Sequence, residues 1–238
     1  MEKILIYTDG GCLGNPGPGG WGAIISGPGK VVTELGGFDE PTTNNRMEMT
    51  AILEALRFLG VKAYSIELYS DSKYSLQGIS EWRYGWQKRN WTNQAGKEVL
   101  NKELWQEMCK VVDALKDAGS EFVWKYVPGH QGIPGNERVD TIAQSFSRHE
   151  HVELFRGELG GYLVDLSPPL PSQLKKSKSK SKSSSAKAFA YCSFVGGEFH
   201  VDKTWKACEA RVKGRSGAKF KKAFSAAEVD QLRVQWGG

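Results

Sequence analysis

The sequence predicts a mixed α/β domain, built on a five-stranded sheet flanked by helices, followed by a small basic α+β domain on a flexible linker. Strand-like runs open the chain without an intervening helix. Strands then alternate with amphipathic helices as far as residue 150. Finally, a Lys/Ser-rich segment without aromatic residues occupies positions 172–188 and cannot bury enough surface to fold.

Three strands in a meander are expected at the start. The run MEKILIYT (1–8) is apolar and partly β-branched, and segments 21–26 and 30–36 follow, joined through the turn sequence GPGK. Glycine and proline are concentrated in YTDGGCLGNPGPGG (7–20), where we expect turns that bring bare backbone close to a ligand. Asp9 would then stand where the first strand ends.

The remaining elements follow from changes in hydrophobic period. In NNRMEMTAILEALRFLG, apolar residues recur at helical spacing, with Asn44 or Asn45 as the N-cap and Gly60 as the stop. The later elements are strand 65–69, helix 72–78, helix 101–118, strand 121–127 and helix 136–148. Residues 1–150 thus form the main domain, and residues 151–171 an extension packing on it in which YLVDL (162–166) is a candidate strand. Residues 189–238 regain apolar side chains and form the second domain.

Charge is distributed unevenly along the chain, although the formal net charge is only +5. Residues 1–171 carry 17 basic and 22 acidic side chains, residues 172–188 carry 6 and none, and residues 189–238 carry 9 and 5. An acidic body with a basic tail favours a polyanionic partner such as nucleic acid.

Composition argues against membrane and disulfide-rich classes. No apolar stretch approaches the roughly 18 residues of a membrane span, and the N-terminus lacks the basic-then-apolar order of a signal peptide. We therefore expect a cytoplasmic protein that does not bind membranes. The cysteines show neither disulfide nor zinc spacing and are expected to be free thiols: Cys12, Cys109, Cys192 and Cys208.

Four acidic residues occupy strand ends or helix starts that can face one crevice. Asp9 and Asp71 follow predicted strands, while Glu48 and Asp140 lie in the first turns of helices. If the first and fourth strands are parallel neighbours, these carboxylates meet at one edge of the sheet. Each alone is also typical of a solvated surface charge, but like charges this close need cations between them. An all-oxygen set favours two Mg²⁺ or Mn²⁺ ions, which support phosphoryl transfer.

The carboxylates lie in segments that resemble one enzyme family. Four segments, in this order and spacing, are similar to the signature segments of bacterial ribonuclease HI over roughly residues 1–150: YTDGGCLGNPGPGGWGA, TTNNRMEMTAILEAL, YSDSKY and VPGHQGIPGNERVDTIA. The resemblance implies a ribonuclease H-like fold and an endonuclease that hydrolyses the RNA strand of RNA:DNA hybrids, leaving 5′-phosphate and 3′-hydroxyl ends. It assigns Asp9, Glu48, Asp71 and Asp140 as catalytic ligands of two Mg²⁺ ions.

The same resemblance assigns residues around the carboxylates. His130, in the glycine-bounded loop VPGHQG, would move a proton to the leaving group or help product to depart; without the resemblance it is an ordinary surface histidine. The 2′-hydroxyl distinguishes hybrid from duplex DNA. Residues expected to contact the RNA ribose and flanking sugars are Cys12, Gly14, Asn15, Asn44 and Asn45. Thr43 and Asn44 would grip a DNA phosphate.

The stretch WRYGWQKRNW (82–91) interleaves tryptophans with cations. Such a surface can pack on sugars while it neutralises phosphates, and it resembles the basic protrusion with which ribonuclease HI grips the DNA strand. The residues expected to bind nucleic acid here are Trp82, Trp86, Lys88, Arg89 and Trp91. The alternative is that the tryptophans belong to the core beneath a solvated charged face.

In the last domain, TWKACEARVKGRSGAKFKKAFSAAE (204–228) resembles the hybrid-binding module of eukaryotic ribonuclease H and of viroplasmin proteins. The resemblance implies that Trp205 and Phe220 contact sugars and that Lys221 and Lys222 contact phosphates. A generic basic domain is the alternative.

Three classes of function are compatible with these patterns. The first is a monomeric endonuclease whose partner is an RNA:DNA hybrid. The second is a catalytically silent hybrid-binding protein on the same fold, which predicts the loss of at least one metal ligand, although all four are present. The third, another nuclease or transposase on this fold, would need a different carboxylate pattern.

Overall fold

One mixed sheet organises the first part of the chain. Its strands lie in the order β5-β4-β1-β2-β3-β6. Their bounds are β1 (Glu2–Cys12), β2 (Gly17–Ser26), β3 (Val31–Thr42), β4 (Tyr64–Ser70), β5 (Glu121–Tyr126) and β6 (Arg156–Glu158). β1, β4 and β5 are parallel, whereas β2 and β3 continue from β1 as an antiparallel meander. The computed structural model describes residues 1–174, 189–215, 217–223 and 225–237 and divides into two units, 1–177 and 178–238.

Helices cover both faces of this sheet. Their bounds are α1 (Asn44–Leu59), α2 (Lys73–Gln77), α3 (Arg83–Lys88), α4 (Lys102–Asp117), α5 (Pro134–Ser147) and α6 (Pro171–Leu174), with a π-helical turn at Gly78–Trp82. Successive residues of a strand point to opposite faces. Ile4 and Ile6 of β1 pack with α1 and α4, whereas Leu5 and Tyr7 pack in a second cluster with α5. Helices α1 and α5 therefore flank β1 from opposite sides.

The α/β class predicted from the sequence is confirmed, but the sheet has six strands and not five. The additional strand β6 pairs antiparallel with the first residues of β3. The candidate strand at 162–166 is wrong: β6 already occupies that part of the β3 edge, and the segment instead turns Tyr162 and Leu166 towards the interior.

The glycine-rich stretch does not end the first strand. Only the parallel pairing with β4 stops, at Thr8. β1 itself continues to Cys12, paired antiparallel with β2, so that Asp9 lies opposite Gly22. The reversal is confined to residues 13–16, because cross-strand hydrogen bonds engage the backbone on either side of it. The expectation of turns throughout residues 7–20 is therefore wrong.

The N-cap of helix α1 lies before both residues expected to form it, Asn44 and Asn45. Thr43 is the N-cap, and Gly60 ends the helix with a φ of 65°. The side chain of Asn44 has another partner: its Oδ1 accepts a hydrogen bond of 2.7 Å from the N–H of Cys12. This bond ties the start of α1 to the end of β1.

The segment after α5 packs around a buried ion pair. The fully buried carboxylate of Glu34 accepts two hydrogen bonds from Arg138, at 2.7 and 2.6 Å, and others from the hydroxyl of Tyr162 and the N–H of Phe155. Burial by itself would raise the pKa of Glu34, but these bonds together hold it below its ordinary value. Residues 155 and 162 are thereby fixed to the sheet.

Replacing Arg138 with methionine is expected to lower the free energy of unfolding by about 3 to 5 kcal/mol, because it leaves the Glu34 carboxylate buried without its counter-charge. The matched control is Arg57→Met, since Arg57 pairs with Glu54 and Glu107 at the surface. That change should cost less than about 1 kcal/mol. Urea unfolding of both variants measures the difference, and equal losses would contradict the prediction.

The second unit is a small α+β fold. Its antiparallel sheet has the order β8-β7-β9. The elements are β7 (Ala190–Val195), β8 (Glu198–Asp202), β9 (Lys219–Ala223), α7 (Trp205–Val212) and α8 (Ala226–Trp236). Its two small clusters of buried side chains include Cys192, Leu232, Cys208 and Val212. Of the predicted linker 172–188, residues 175–188 lie outside the described residues.

Two expectations from composition can be compared with the structure. All four cysteines are free thiols. Over the described ranges, no helix is long and apolar enough to cross a membrane.

Candidate active site

Parallel pairing of β1 with β4 places two aspartates side by side. The paired residues run from Glu2 opposite Tyr64 to Thr8 opposite Ser70. Asp9 and Asp71 are the residues that immediately follow this last pair. Both carboxyl groups line the same cleft. The Asp9 carboxylate also accepts a bond of 2.7 Å from the N–H of Gly10. The adjacency expected from the sequence is therefore present.

Helix α1 adds Glu48 because Gly10 lets it approach. A Cβ atom at Gly10 would lie 2.2 Å from the carbonyl carbon of Met47 and 2.4 Å from the nitrogen of Glu48. Only a glycine permits this contact. The hydroxyl of Ser72, which also caps α2, donates a hydrogen bond to the Glu48 carboxylate. The strand glycine thus positions a side chain of the site.

Helix α5 adds Asp140 from the other face in the same way. A Cβ atom at Gly20 would lie 2.1 Å from the carbonyl oxygen of Ala143, so α5 rests on bare backbone of β2. Asp140 Oδ1 accepts a hydrogen bond of 2.8 Å from Gln144, and Oδ2 lies 3.8 Å from Nδ1 of His130. The four carboxylates and His130 line one cleft.

Burial and mutual repulsion together raise the pKa values of the carboxyl groups in this cleft. Burial, then the neighbouring charge of Asp71, raises the pKa of Asp9 well above the carboxyl range. Burial and Asp71 also raise the pKa of Glu48 to about 7, against the hydrogen bond from Ser72. Burial and the charge of Asp140 raise the pKa of Asp71. A divalent cation between these oxygens would remove the repulsion.

Comparison with known proteins places this cleft in a family. The family model described as RNase H matches residues 1–148. The chain belongs to the RNase H family. Relatives named Ribonuclease H include one from Acidovorax sp. (strain JS42), 48% identical over 143 residues, covering 60% of this chain and 93% of that protein. Another, from Thermosynechococcus vestitus, is 50% identical over 151 residues, covering 63% and 91%.

Solved structures agree with this assignment. LC9-RNase H1, described as a type 1 RNase H with the type 2 active-site motif, matches with a TM-score of 0.57 at 28% identity, over 67% of this chain and 80% of that one. The foamy viral protease-reverse transcriptase bound to an RNA/DNA hybrid shares the fold, with a TM-score of 0.52 at 16% identity, over 61% of this chain and 20% of that one. The chain is a ribonuclease H enzyme.

The donor set fits the divalent ions that RNase H enzymes use. Within residues 1–174 and the described parts of the second unit, no group of three or more Asp, Glu, His or Cys side chains is placed to hold one ion. Mg²⁺ is commonly held by one or two carboxylates and completes its shell with water and substrate phosphates. The adjacent Asp9 and Asp71 fit that mode, because they offer only oxygen atoms.

The raised carboxyl pKa values predict a pH-dependent stabilisation by metal. Without divalent ions, the Glu48 carboxyl binds more protons in the folded domain than in the unfolded chain between pH 4.5 and about 7, the range over which its pKa is raised. The contribution of the cluster to the free energy of unfolding should therefore fall as pH rises through this range. Mg²⁺ should raise Tm more at the upper end than at the lower end.

Thermal unfolding in EDTA and in Mg²⁺ measures this effect at both ends of the range. The matched variant is Asp71→Asn, which removes one charge from the cluster, so both the pH dependence and the metal effect should shrink. A Tm of wild type that does not respond to Mg²⁺ at the upper end would contradict the prediction.

Two of the residues expected to contact the hybrid line the cleft, and the other four lie next to them in the sequence. Cys12 and Asn44 line it and are joined by their hydrogen bond. Thr43 is partly buried at the helix start, and Asn45 is exposed beside it. Gly14 and Asn15 are exposed in the reversal between β1 and β2. The structure thus brings all six residues to the start of α1 or to the adjacent reversal.

The tryptophan-rich stretch divides between surface and core. Lys88 and Arg89 are exposed, as is Trp82. Trp86 packs partly against the core, with its ring 5.2 Å from that of Trp105. Trp91 is only 8% exposed and belongs to the main core cluster. The expectation that Trp91 contacts nucleic acid is therefore wrong, since a buried ring cannot stack on a ligand.

The four residues expected to bind nucleic acid in the second unit lie on or beside its sheet. The ring of Trp205 packs 5.5 Å from that of Phe220, and both are about half exposed. Lys221 and Lys222 follow Phe220 on β9; Lys221 is exposed and Lys222 partly so. Tyr191, which the sequence did not single out, extends the aromatic row, 5.9 Å from Trp205.

Two residues that line the cleft were not predicted from the sequence. Gln144 and Arg148 line it one and two helical turns after Asp140. Arg148 donates a hydrogen bond of 3.3 Å to Gln144, which in turn donates to Asp140. The four-residue spacing on one helix face is the signal that could have identified them.

Proposed function

We propose that this RNase H cleaves the RNA strand of RNA:DNA hybrids at the cleft of Asp9, Glu48, Asp71 and Asp140, with two Mg²⁺ ions, leaving 5′-phosphate and 3′-hydroxyl ends. The observation that carries the proposal is the convergence of four carboxylates, from both faces of the sheet, at the point where β1 and β4 part. Without metal ions, the negative charges of these carboxylates repel one another. Two divalent cations would offset this repulsion.

When bound, the two ions would activate a water and stabilise the leaving oxygen. The side chains of the chain prepare the site for them. Ser72 holds the Glu48 carboxylate, and Gln144 holds Oδ1 of Asp140, which leaves Oδ2 directed at His130. Gly10 and Gly20 set the two helices against the strands. The site is thus preorganised before the substrate arrives.

His130 is placed to move a proton. Its side chain is 82% exposed beside Asp140, on a loop between β5 and α5. An imidazole can accept and donate a proton near neutral pH. We propose that it delivers a proton to the leaving 3′-oxygen or assists the departure of product.

Recognition of the hybrid is proposed at the residues around the start of α1. Cys12, Gly14, Asn15, Asn44 and Asn45 would read the RNA ribose, whose 2′-hydroxyl is both donor and acceptor. Thr43 with Asn44 would hold a DNA phosphate. Trp82 at the start of α3, with Lys88 and Arg89 at its end, would grip the DNA strand, with Trp86 as their support.

For the second unit we propose a nucleic-acid surface formed by Trp205, Phe220, Lys221 and Lys222. Half-exposed aromatic rings beside lysines can pack on sugars and neutralise phosphates. Changing Trp205 and Phe220 together to alanine should weaken hybrid binding about tenfold, the scale of one lost stacking contact, and leave kcat unchanged. Hybrid affinity in EDTA and kcat in Mg²⁺ measure the two effects.

The control for that variant is Val234→Ala, on α8 of the same unit, because Val234 is 80% exposed. Equal affinity of the control and the double variant would contradict the nucleic-acid surface without affecting the proposed chemistry.

A catalytically silent hybrid-binding protein is the second candidate. It predicts a defect in the metal ligands, whereas all four carboxylates are present and line the cleft. The monomeric state and the cytoplasmic location remain predictions from the sequence.

The test of the proposal is a substrate panel. The full chain in Mg²⁺ is given end-labelled RNA:DNA hybrid, duplex RNA and duplex DNA, and the ends of the products are identified. Cleavage of the RNA strand of the hybrid alone, with 5′-phosphate products, is the expected result. Cleavage of duplex RNA at a comparable rate, or of the DNA strand, would overturn the proposed substrate.

A further inference from the structure

The loop that carries His130 has few attachments of its own. In the described part of the chain, no backbone-to-backbone hydrogen bond joins residues 128–132 to another element. His130 has a φ of 54° and Gly132 a φ of 67°. A histidine with positive φ persists only where its surroundings hold it there. Something outside the loop therefore fixes its conformation.

The segment after α5 provides that support. Leu166 is buried in one cluster with Val127 and Ile133, which flank the loop on both sides. The side chain of Gln173 then reaches the loop: its Nε2 donates a hydrogen bond of 3.0 Å to the carbonyl of Gly132. Its Oε1 accepts a bond of 2.8 Å from the N–H of Leu170, which orients the amide. The segment thus contacts the loop through both apolar and polar groups.

The loop in turn lies close to the carboxylates of Asp71 and Asp140. A Cβ atom at Gly129 would lie 2.6 Å from Oδ2 of Asp71, and His130 lies 3.8 Å from Asp140. A shift of the loop would therefore move His130 relative to Asp140 and the reacting atoms, and would alter the contact of Gly129 with Asp71. Residues 151–174 lie beyond the part matched by the family model, which ends at residue 148. Leu166 and Gln173 therefore lie outside the matched range.

We infer that Gln173 is a positioning residue for the His130 loop, and that residues 151–174 are a brace that sets the proton-transfer step of the enzyme. The inference rests on the proposed function, because it assigns Gln173 an effect through His130. The brace is anchored at a distance from the cleft by Glu34, which holds Phe155 and Tyr162. The hydrogen bond from Gln173 to Gly132 then holds the loop against this anchored segment.

Two substitutions in the full chain separate the contacts of Gln173. Gln173→Glu keeps the acceptor for Leu170 but removes the donor to Gly132, and Gln173→Met removes both without adding charge. Each should lower kcat about three- to tenfold, the scale of one hydrogen bond, with KM for the hybrid unchanged. Amide hydrogen exchange should become faster in both variants at Val127 and Glu137, whose N–H groups are hydrogen-bonded at the two ends of the loop.

A double-mutant cycle with His130→Ala decides whether Gln173 acts through the histidine. In the His130→Ala background, Gln173→Met should have no further effect on kcat. An equal further loss there, or wild-type kcat and exchange in both Gln173 variants, would overturn the inference.

A further variant loosens the brace without altering Gln173, and a matched control variant leaves the brace intact. Leu166→Ala should lower kcat and speed amide exchange at Val127 and Glu137, whereas Leu163→Ala, at a side chain that is 99% exposed on the same segment, should do neither. Equal behaviour of the two would also overturn the inference. If wild type fails to cleave the hybrid at all, the proposed function fails, while the exchange measurements still test the brace by themselves.

Discussion

Changing Asp9 to asparagine is expected to slow cleavage of the hybrid by about a thousandfold or more, and to leave hybrid affinity nearly unchanged. Asp9 lies at the centre of the cluster, where burial, and then the charges of Asp71, Asp140 and Glu48, raise its pKa. The neutral amide keeps the shape of the side chain but removes the charge that a divalent ion needs. Metal stabilisation of charge in the transition state contributes several kcal/mol, and each 1.36 kcal/mol is tenfold in rate.

The control for this variant is Asp39→Asn, since Asp39 is exposed on β3 and does not line the cleft. Its rate should equal that of wild type. Single-turnover cleavage in Mg²⁺, with binding measured separately in EDTA, distinguishes chemistry from affinity. A reduction of less than tenfold in Asp9→Asn would show that the chemistry does not depend on this carboxylate.

Changing Gly10 to alanine should displace Glu48 without altering any of the four carboxylates. The new methyl carbon would fall 2.2 Å from the backbone of Met47, so α1 must move and carry Glu48 with it. Overpacking of this kind costs about 1 to 3 kcal/mol of stability. We also expect a loss of kcat of about a hundredfold, because misplacing a catalytic group by one ångström has effects of that size.

The neighbouring Gly11 offers a matched control for stability. A Cβ atom there would meet only Oδ1 of Asn44, at 3.9 Å. Chemical denaturation of Gly11→Ala should give wild-type stability. If Gly10→Ala retained both wild-type stability and wild-type kcat, the close packing of α1 on β1 would not be what positions Glu48.

The order of the elements and the four carboxylates could be predicted because both depend on local patterns. Apolar runs and helical periods identify strands and helices, and parallel neighbours end at the same edge. Asp9 and Asp71 therefore come together as soon as β1 and β4 pair. The purpose of the glycines was harder to predict, because Gly10 and Gly20 act on helices that are distant in sequence.

The features that were predicted wrongly or not at all depend on tertiary contacts, which local sequence patterns do not contain. Trp91 lies in a basic, tryptophan-rich stretch, but its ring packs in the core. The role of Glu34 depends on Arg138 and Tyr162, more than 100 residues away in sequence. Residues 162–166 do not form the candidate strand, because residues 156–158 pair with the edge of β3 as β6.

One assay tests the central claim most directly. The full chain and the Asp9→Asn variant are incubated with hybrid labelled on the RNA strand, in Mg²⁺ and in EDTA, with binding measured in parallel. We predict cleavage by wild type in Mg²⁺ alone, and hybrid binding by both proteins. Cleavage in EDTA, or wild type that binds the hybrid without cleaving it in either Mg²⁺ or Mn²⁺, would contradict a metal-dependent nuclease at this cleft.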